Sequence, residues 1–186
     1  MIKKLSAIKK IIPNILTIIR IILIPILVIS FYFDTKTARY LSVSIFTFAS
    51  ITDYIDGALA RKWKAHSNLG RMLDPIADKM IVSSTLLMMV SKGIAPVLPT
   101  VVILCREIFV SGIREYLAEI KVIINVSVIG KVKTILQMTS IIILLCGSSV
   151  DGLTYLKTVG SFALWFAAIL TVVSGYIYVR ENIHHI

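Results

Sequence analysis

Acid is what this chain has least of: ten Asp and Glu in 186 residues, against twenty Lys and Arg. Cysteine is nearly absent too, and Cys105 and Cys146 both fall in apolar stretches, where packing is a better reading than a disulfide or a metal pair. No linker, low-complexity segment or internal repeat divides the sequence, which leaves one helical domain as the economical expectation. The first apolar stretch lacks a small-residue cleavage site and contains Arg20, so it does not read as a signal peptide.

What is present is apolar. Hydrophobic residues make up 57% of the chain, and its mean hydropathy is +0.89. Soluble domains usually stay near 45 to 50% apolar. Crossing a hydrocarbon core of roughly 30 Å takes about 20 helical residues. Stretches of that kind recur at 14 to 33, 38 to 60, 70 to 91, 96 to 117, 131 to 148 and 155 to 178. The expected fold is an all-α integral membrane protein, a six-transmembrane-helix bundle. Residues 1 to 12 alternate Ile2, Leu5, Ile8, Ile11 and Ile12 with Lys3, Lys4, Lys9 and Lys10, which predicts a short N-terminal amphipathic helix on the inner leaflet. The bundle then occupies 13 to 186, with Pro13 at its first helix start.

A net charge of +10 would point to nucleic acid in a soluble protein, but its distribution excludes that reading. With the N-terminus inside, sixteen Lys and Arg fall on inner segments or helix ends and four on outer ones, Lys36, Arg39, Lys92 and Lys157. This positive-inside bias predicts a multi-pass protein of a bacterial-type inner membrane, with both termini and the polar inner connections in the cytoplasm. Trp63, Trp165, Tyr176 and Tyr178 read as interface anchors.

Four of the scarce acids, Asp53, Asp56, Asp74 and Asp78, lie within 26 positions. Residues three and four apart share a helix face, so Asp53 and Asp56 line the second span while Gly70, Asp74 and Asp78 line the third. A short connection makes these spans antiparallel neighbours whose carboxylates can converge. Clustered carboxylates repel, and either raised pKa values or bound divalent cations relieve the repulsion. With no His or Cys at ligand spacing, an all-oxygen set suits Mg²⁺ or Mn²⁺ better than zinc, and two such ions match a phosphoryl-transfer site. Gly57, Ala60 and Gly70 remove bulk beside the carboxylates. A cation or proton pathway and plain helix capping are the alternatives, and neither accounts for Arg61 and the small residues at fixed offsets.

The pattern D-x-x-D-G-x-x-A-R, eight residues, then G-x-x-x-D-x-x-x-D resembles the signature of the CDP-alcohol phosphatidyltransferases. Every position is matched, by Asp53, Asp56, Gly57, Ala60, Arg61, Gly70, Asp74 and Asp78. The resemblance implies that Asp53, Asp56 and Asp74 bind a metal pair, while Asp78 touches the second metal and acts as general base. It also implies that Gly57, Arg61 and Ser67 hold the CDP part of a CDP-diacylglycerol donor lying among membrane lipids.

Outside the signature, P-N-I-L-T-I-I-R at 13 to 20 is similar to the branch of that family that uses a glycerol phosphate acceptor, with Asn14 and Thr17 facing the donor nucleotide. Arg20 sits in apolar surroundings, where a lipid-facing position would cost about 2.5 to 3.5 kcal/mol, so it is expected to face the pocket or the interface. C-R-E-I-F-V-S-G-I-R-E at 105 to 115 and G-K-V-K-T at 130 to 134 are similar to the same branch. Arg106, Arg114, Lys131 and Lys133 then argue for an acceptor carrying phosphate, and glycerol 3-phosphate fits better than serine, choline or free glycerol. Glu107 is expected to pair with Arg114 or a neighbouring helix. The expected product is phosphatidylglycerophosphate, with CMP released. Cardiolipin-type and inositol-phosphate-type acceptors, an intramembrane prenyltransferase and a divalent-cation carrier are the competing readings. Small residues in S-V-S-I-F-T-F-A-S and S-G-Y suit either internal packing or a homodimer.

Overall fold

The computed structural model describes residues 2–63, 68–122, 128–149 and 152–185, and side chains within 14–53, 55, 70, 72–122, 129–149 and 152–184. It is all-helical over these residues: α1 (Ile2–Ser30), α2 (Lys36–Trp63), α3 (Asn68–Ser91), α4 (Val97–Glu119), α5 (Val128–Ser149) and α6 (Tyr155–Asn182), then a 3₁₀ turn at Ile183–His185. Each of the six expected spans coincides with one helix. The helices run past the apolar stretches because Lys62, Trp63, Glu119 and Arg180 are compatible with a helix and nothing at these positions breaks it. The largest departure is at the N-terminus. Pro13 lies inside α1, which is continuous from Ile2, rather than at a helix start. Proline removes one backbone donor, and membrane helices tolerate that loss, as Pro75 within α3 also illustrates.

Two of these helices, Ile129–Ser149 and Tyr155–Asn182, are long and apolar enough to cross a membrane by length and composition, and a shorter apolar segment covers Asn14–Ser30. The distribution of side chains is that of a membrane protein. On α1, Ile15, Ile18, Ile22, Ile26 and Ile29 are exposed, while Thr17, Arg20, Ile24, Leu27 and Ser30 form a buried stripe at helical spacing. Apolar residues outside and a charge inside invert the order that water imposes. Hydroxyls within the helices bond to carbonyls of the preceding turn, as in Ser42 to Ala38, Ser50 to Phe46, Thr85 to Ile81 and Ser140 to Leu136. That answers the demand of lipid that polar groups be satisfied internally.

The chain divides into two compact units, Met1–Met88 and Met89–Ile186. In the first, α1 packs on α2, with the hydroxyls of Ser30 and Ser42 2.7 Å apart. The pairings Ser30 with Ser42 and Arg20 with Asp53 run in opposite senses, so α1 and α2 are antiparallel. Those of Thr17 with Asp74 and Arg20 with Asp78 run in the same sense, which sets α3 parallel to α1 and antiparallel to α2, as expected. In the second unit α5 and α6 are antiparallel and closely packed. A Cβ on Gly160 would lie 2.7 Å from Leu144 Cγ, so only glycine permits this approach. Leu144, Leu145, Leu164, Ala167 and Ile103 fill the core between them and α4.

Candidate active site

In the first unit the acids of two helices meet the polar groups of a third. Spacing by three along α1 puts Asn14, Thr17 and Arg20 on neighbouring positions of one side, of which Thr17 and Arg20 are both only 1% exposed. The Thr17 hydroxyl donates to Asp74 Oδ1. Arg20 Nη1 donates to Asp53 Oδ1 at 3.0 Å and also to Asp78 Oδ1. One buried guanidinium thus bridges the carboxylates of α2 and α3, and α1 is what draws them together. Burying a guanidinium is costly unless carboxylates neutralise it, and two do. Arg20 faces the pocket, one of the two positions open to it in the sequence.

The carboxylate side chains remain about one third open, at 32% for Asp53 and 33% for Asp78. Ligands can therefore reach them from the side away from Arg20. All their donor atoms are carboxylate oxygens, the chemistry that selects a hard divalent ion. The bridging position of Arg20 shows that the arrangement already recruits positive charge. Asp53, Asp74 and Asp78 thus supply the right donor chemistry for a divalent metal, but not by themselves a complete set of ligands. Among the described residues no three acid, His or Cys groups stand close enough to form a metal cage alone. Gly70 is buried on α3, where a side chain would add bulk. The backbone positions of Asp56, Gly57, Ala60 and Arg61 lie on α2, but their side chains lie outside the described residues, as does Ser67 altogether.

The second unit gathers cations instead. Lys133, at 5% exposure, donates from Nζ to Glu107 Oε1, and Arg106 Nη1 reaches the same oxygen at 3.3 Å. Arg106 is further tied to α6, with Nε donating to the Thr171 carbonyl at 3.1 Å and Nη2 to Ser174 Oγ at 2.9 Å. A Cβ on Gly175 would lie 3.3 Å from Arg106 Cγ and Nε, so its absence gives the arginine room. Glu107 reaches a neighbouring helix, one of the two pairings expected, and that helix is α5. Arg106 and Lys133 are brought together, whereas Arg114 and Lys131 are exposed.

Sequence reading missed Thr171, Ser174 and Gly175. Their signal is a polar stripe in an apolar helix: Thr171, Ser174 and Tyr178 stand at i, i+3 and i+7 on α6. The hydroxyls of Thr171 and Tyr178 are buried and have no hydrogen-bond partner among the described residues. A buried hydroxyl does not suit an interface anchor, so that reading of Tyr178 is corrected, while Tyr176 and Trp165 remain exposed. Cys105 and Cys146 are free thiols, as expected, but Cys105 is exposed and only Cys146 is partly packed.

The described residues thus form an apolar-faced helical protein with aspartates of two helices drawn together in one unit and Arg106 and Lys133 drawn together on Glu107 in the other. The sequence profile of the CDP-alcohol phosphatidyltransferases matches residues 10–173, and the chain belongs to that family. Members of this family are generally divalent-metal dependent. The chain is 45% identical over 173 residues to a Rickettsia felis protein named CDP-diacylglycerol–glycerol-3-phosphate 3-phosphatidyltransferase, covering 93% of this chain and 96% of that one. A Rickettsia prowazekii protein of the same name is also 45% identical, with the same coverage. One from Haemophilus influenzae, again of that name, is 39% identical over 87% of each chain.

Proposed function

We propose that this chain transfers a phosphatidyl group from CDP-diacylglycerol to glycerol 3-phosphate, giving phosphatidylglycerophosphate and CMP. The observation that carries the reading is the gathering of Asp53, Asp74 and Asp78 onto Thr17 and Arg20, inside the family signature. The names of the relatives support the choice of acceptor.

Asp78 is assigned as the base. It takes the proton of the acceptor hydroxyl as that oxygen forms a bond to the lipid-side phosphorus, and the bond from phosphorus to the CMP oxygen breaks, CMP leaving with the electron pair. Asp53, Asp56, Asp74 and Asp78 would hold two Mg²⁺ ions, with Mn²⁺ a substitute, and the ions would supply charge neutralisation at the diphosphate. Asn14, Thr17, Gly57, Ala60, Arg61, Ser67 and Gly70 form the donor-binding set. Arg106, Arg114, Lys131 and Lys133 are assigned to the acceptor phosphate, with the buried Lys133 contributing most because it is least screened.

In this reading all six helices span an inner membrane, residues 1 to 12 lie along its inner leaflet, residues 13 to 186 form the catalytic domain, and the site opens to the cytoplasm. The sixteen-to-four distribution of cations supports that orientation. Purified protein with Mg²⁺ should release CMP when given both substrates, at a rate that glycerol 3-phosphate supports and inositol phosphate or phosphatidylglycerol does not. Absence of CMP release, or release driven by another acceptor, would refute it.

A further inference from the structure

Glu107 stands inside the cation cluster of the second unit and has no part in the donor chemistry. Its Oε1 accepts from Lys133 Nζ and from Arg106 Nη1, so one oxygen takes up the two donors that the proposed acceptor reading, on which this inference rests, reserves for a phosphate. The other two donor nitrogens of Arg106 are committed to α6. Lys133 is buried and needs a counter-ion at all times, because an unpaired ammonium away from water is strongly disfavoured. A ligand at these cations must therefore exchange with a carboxylate already there.

We propose that Glu107 is a resident anion at the acceptor site, holding Lys133 and Arg106 in place until a phosphomonoester displaces it. The exchange is favourable for a dianion, which brings more charge to the cations than the carboxylate it replaces. It is unfavourable for a neutral alcohol or a zwitterion, which cannot compensate the ammonium. Glu107 is 22% exposed, so its carboxylate has water to turn toward once released. The buried hydroxyls of Thr171 and Tyr178, without a partner among the described residues and on the α6 face that carries Ser174, give a polar guest hydrogen bonds that the resident carboxylate does not use. Glu107 is thus a specificity-determining residue that acts through the groups it occupies.

The test uses the full chain in detergent micelles, with inorganic phosphate as the probe. Phosphate should inhibit CMP release competitively against glycerol 3-phosphate. Glu107→Gln, which keeps a hydrogen-bond acceptor and removes the charge, should tighten phosphate inhibition by about tenfold and lower KM for the acceptor in the same direction. Glu107→Asp, which keeps the charge on a shorter side chain, should tighten phosphate inhibition less than Glu107→Gln does, and equal tightening would overturn the proposal. Phosphate affinity that is unchanged or weaker in Glu107→Gln would overturn the proposal, since Glu107 would then only hold the cations in position. A readout on the wild-type chain does not depend on the variant folding: phosphate should raise the rate at which a carbodiimide modifies Glu107, followed by mass spectrometry. Unchanged or slower modification would also overturn it. If phosphate fails to compete with glycerol 3-phosphate in the wild type, the acceptor assignment itself falls, and the inference falls with it.

Discussion

In the first unit a guanidinium lies on carboxylates, and in the second a carboxylate lies on an ammonium and a guanidinium. The two arrangements are mirror images in charge, yet they differ in which partner is buried. Arg20 is 1% exposed behind carboxylates that are about one third open, so a ligand can approach Asp53 and Asp78 without moving it. Glu107 is 22% exposed in front of a Lys133 side chain that is 6% exposed, so a ligand must move it first. The same kind of ion pair is a permanent strut in one unit and a removable stopper in the other. Relative burial, not charge, separates the two roles.

Substitutions can break that comparison on either side. The largest expected effect is at Asp78, where Asn keeps the shape and removes the base. CMP release at saturating substrates should fall by about 10²- to 10⁴-fold, while thermal stability changes little because Arg20 keeps Asp53. Next comes Arg20→Met. It should destabilise the metal-free protein by about 1–3 kcal/mol, read as a lower melting temperature in chelator, because two charge-assisted hydrogen bonds are lost. Excess Mg²⁺ should restore much of the loss by neutralising the same carboxylates. A variant equally stable with and without Mg²⁺ would mean that Arg20 and the metal do not share those groups. The smallest effect is at Gly175→Ala, where the new methyl crowds Arg106 and should cost about 1 kcal/mol, with KM for the acceptor rising and kcat held. An unchanged KM would detach Arg106 from acceptor binding.

The contrast between the units also accounts for how much of each was legible in the sequence. Acids are scarce in this chain, so Asp53, Asp56, Asp74 and Asp78 stand out, and their spacing by itself assigns them to two helix faces. Cations are abundant, and nothing in their spacing separates the buried Lys133 from the exposed Lys131 two residues away, because burial is decided by how α4, α5 and α6 pack. Arg20 was legible for a different reason: a charge in an apolar run is expensive enough to require a partner. Its two partners, 33 and 58 residues along the chain, were not legible. Helix count followed from hydrophobic length alone. The continuity of α1 through Pro13 did not, since proline marks a helix start more often than it sits within one.

Division of labour between the two units is the central claim, and steady-state CMP release measured for Asp53→Asn and Lys133→Met tests it most directly. Asp53→Asn should raise the Mg²⁺ concentration needed for half-maximal rate by about tenfold and leave KM for glycerol 3-phosphate unchanged. Lys133→Met should do the reverse, raising that KM by about 10- to 100-fold with the Mg²⁺ dependence unmoved. If each variant shifts both parameters by similar factors, the two units do not divide metal and acceptor between them, and the account is wrong.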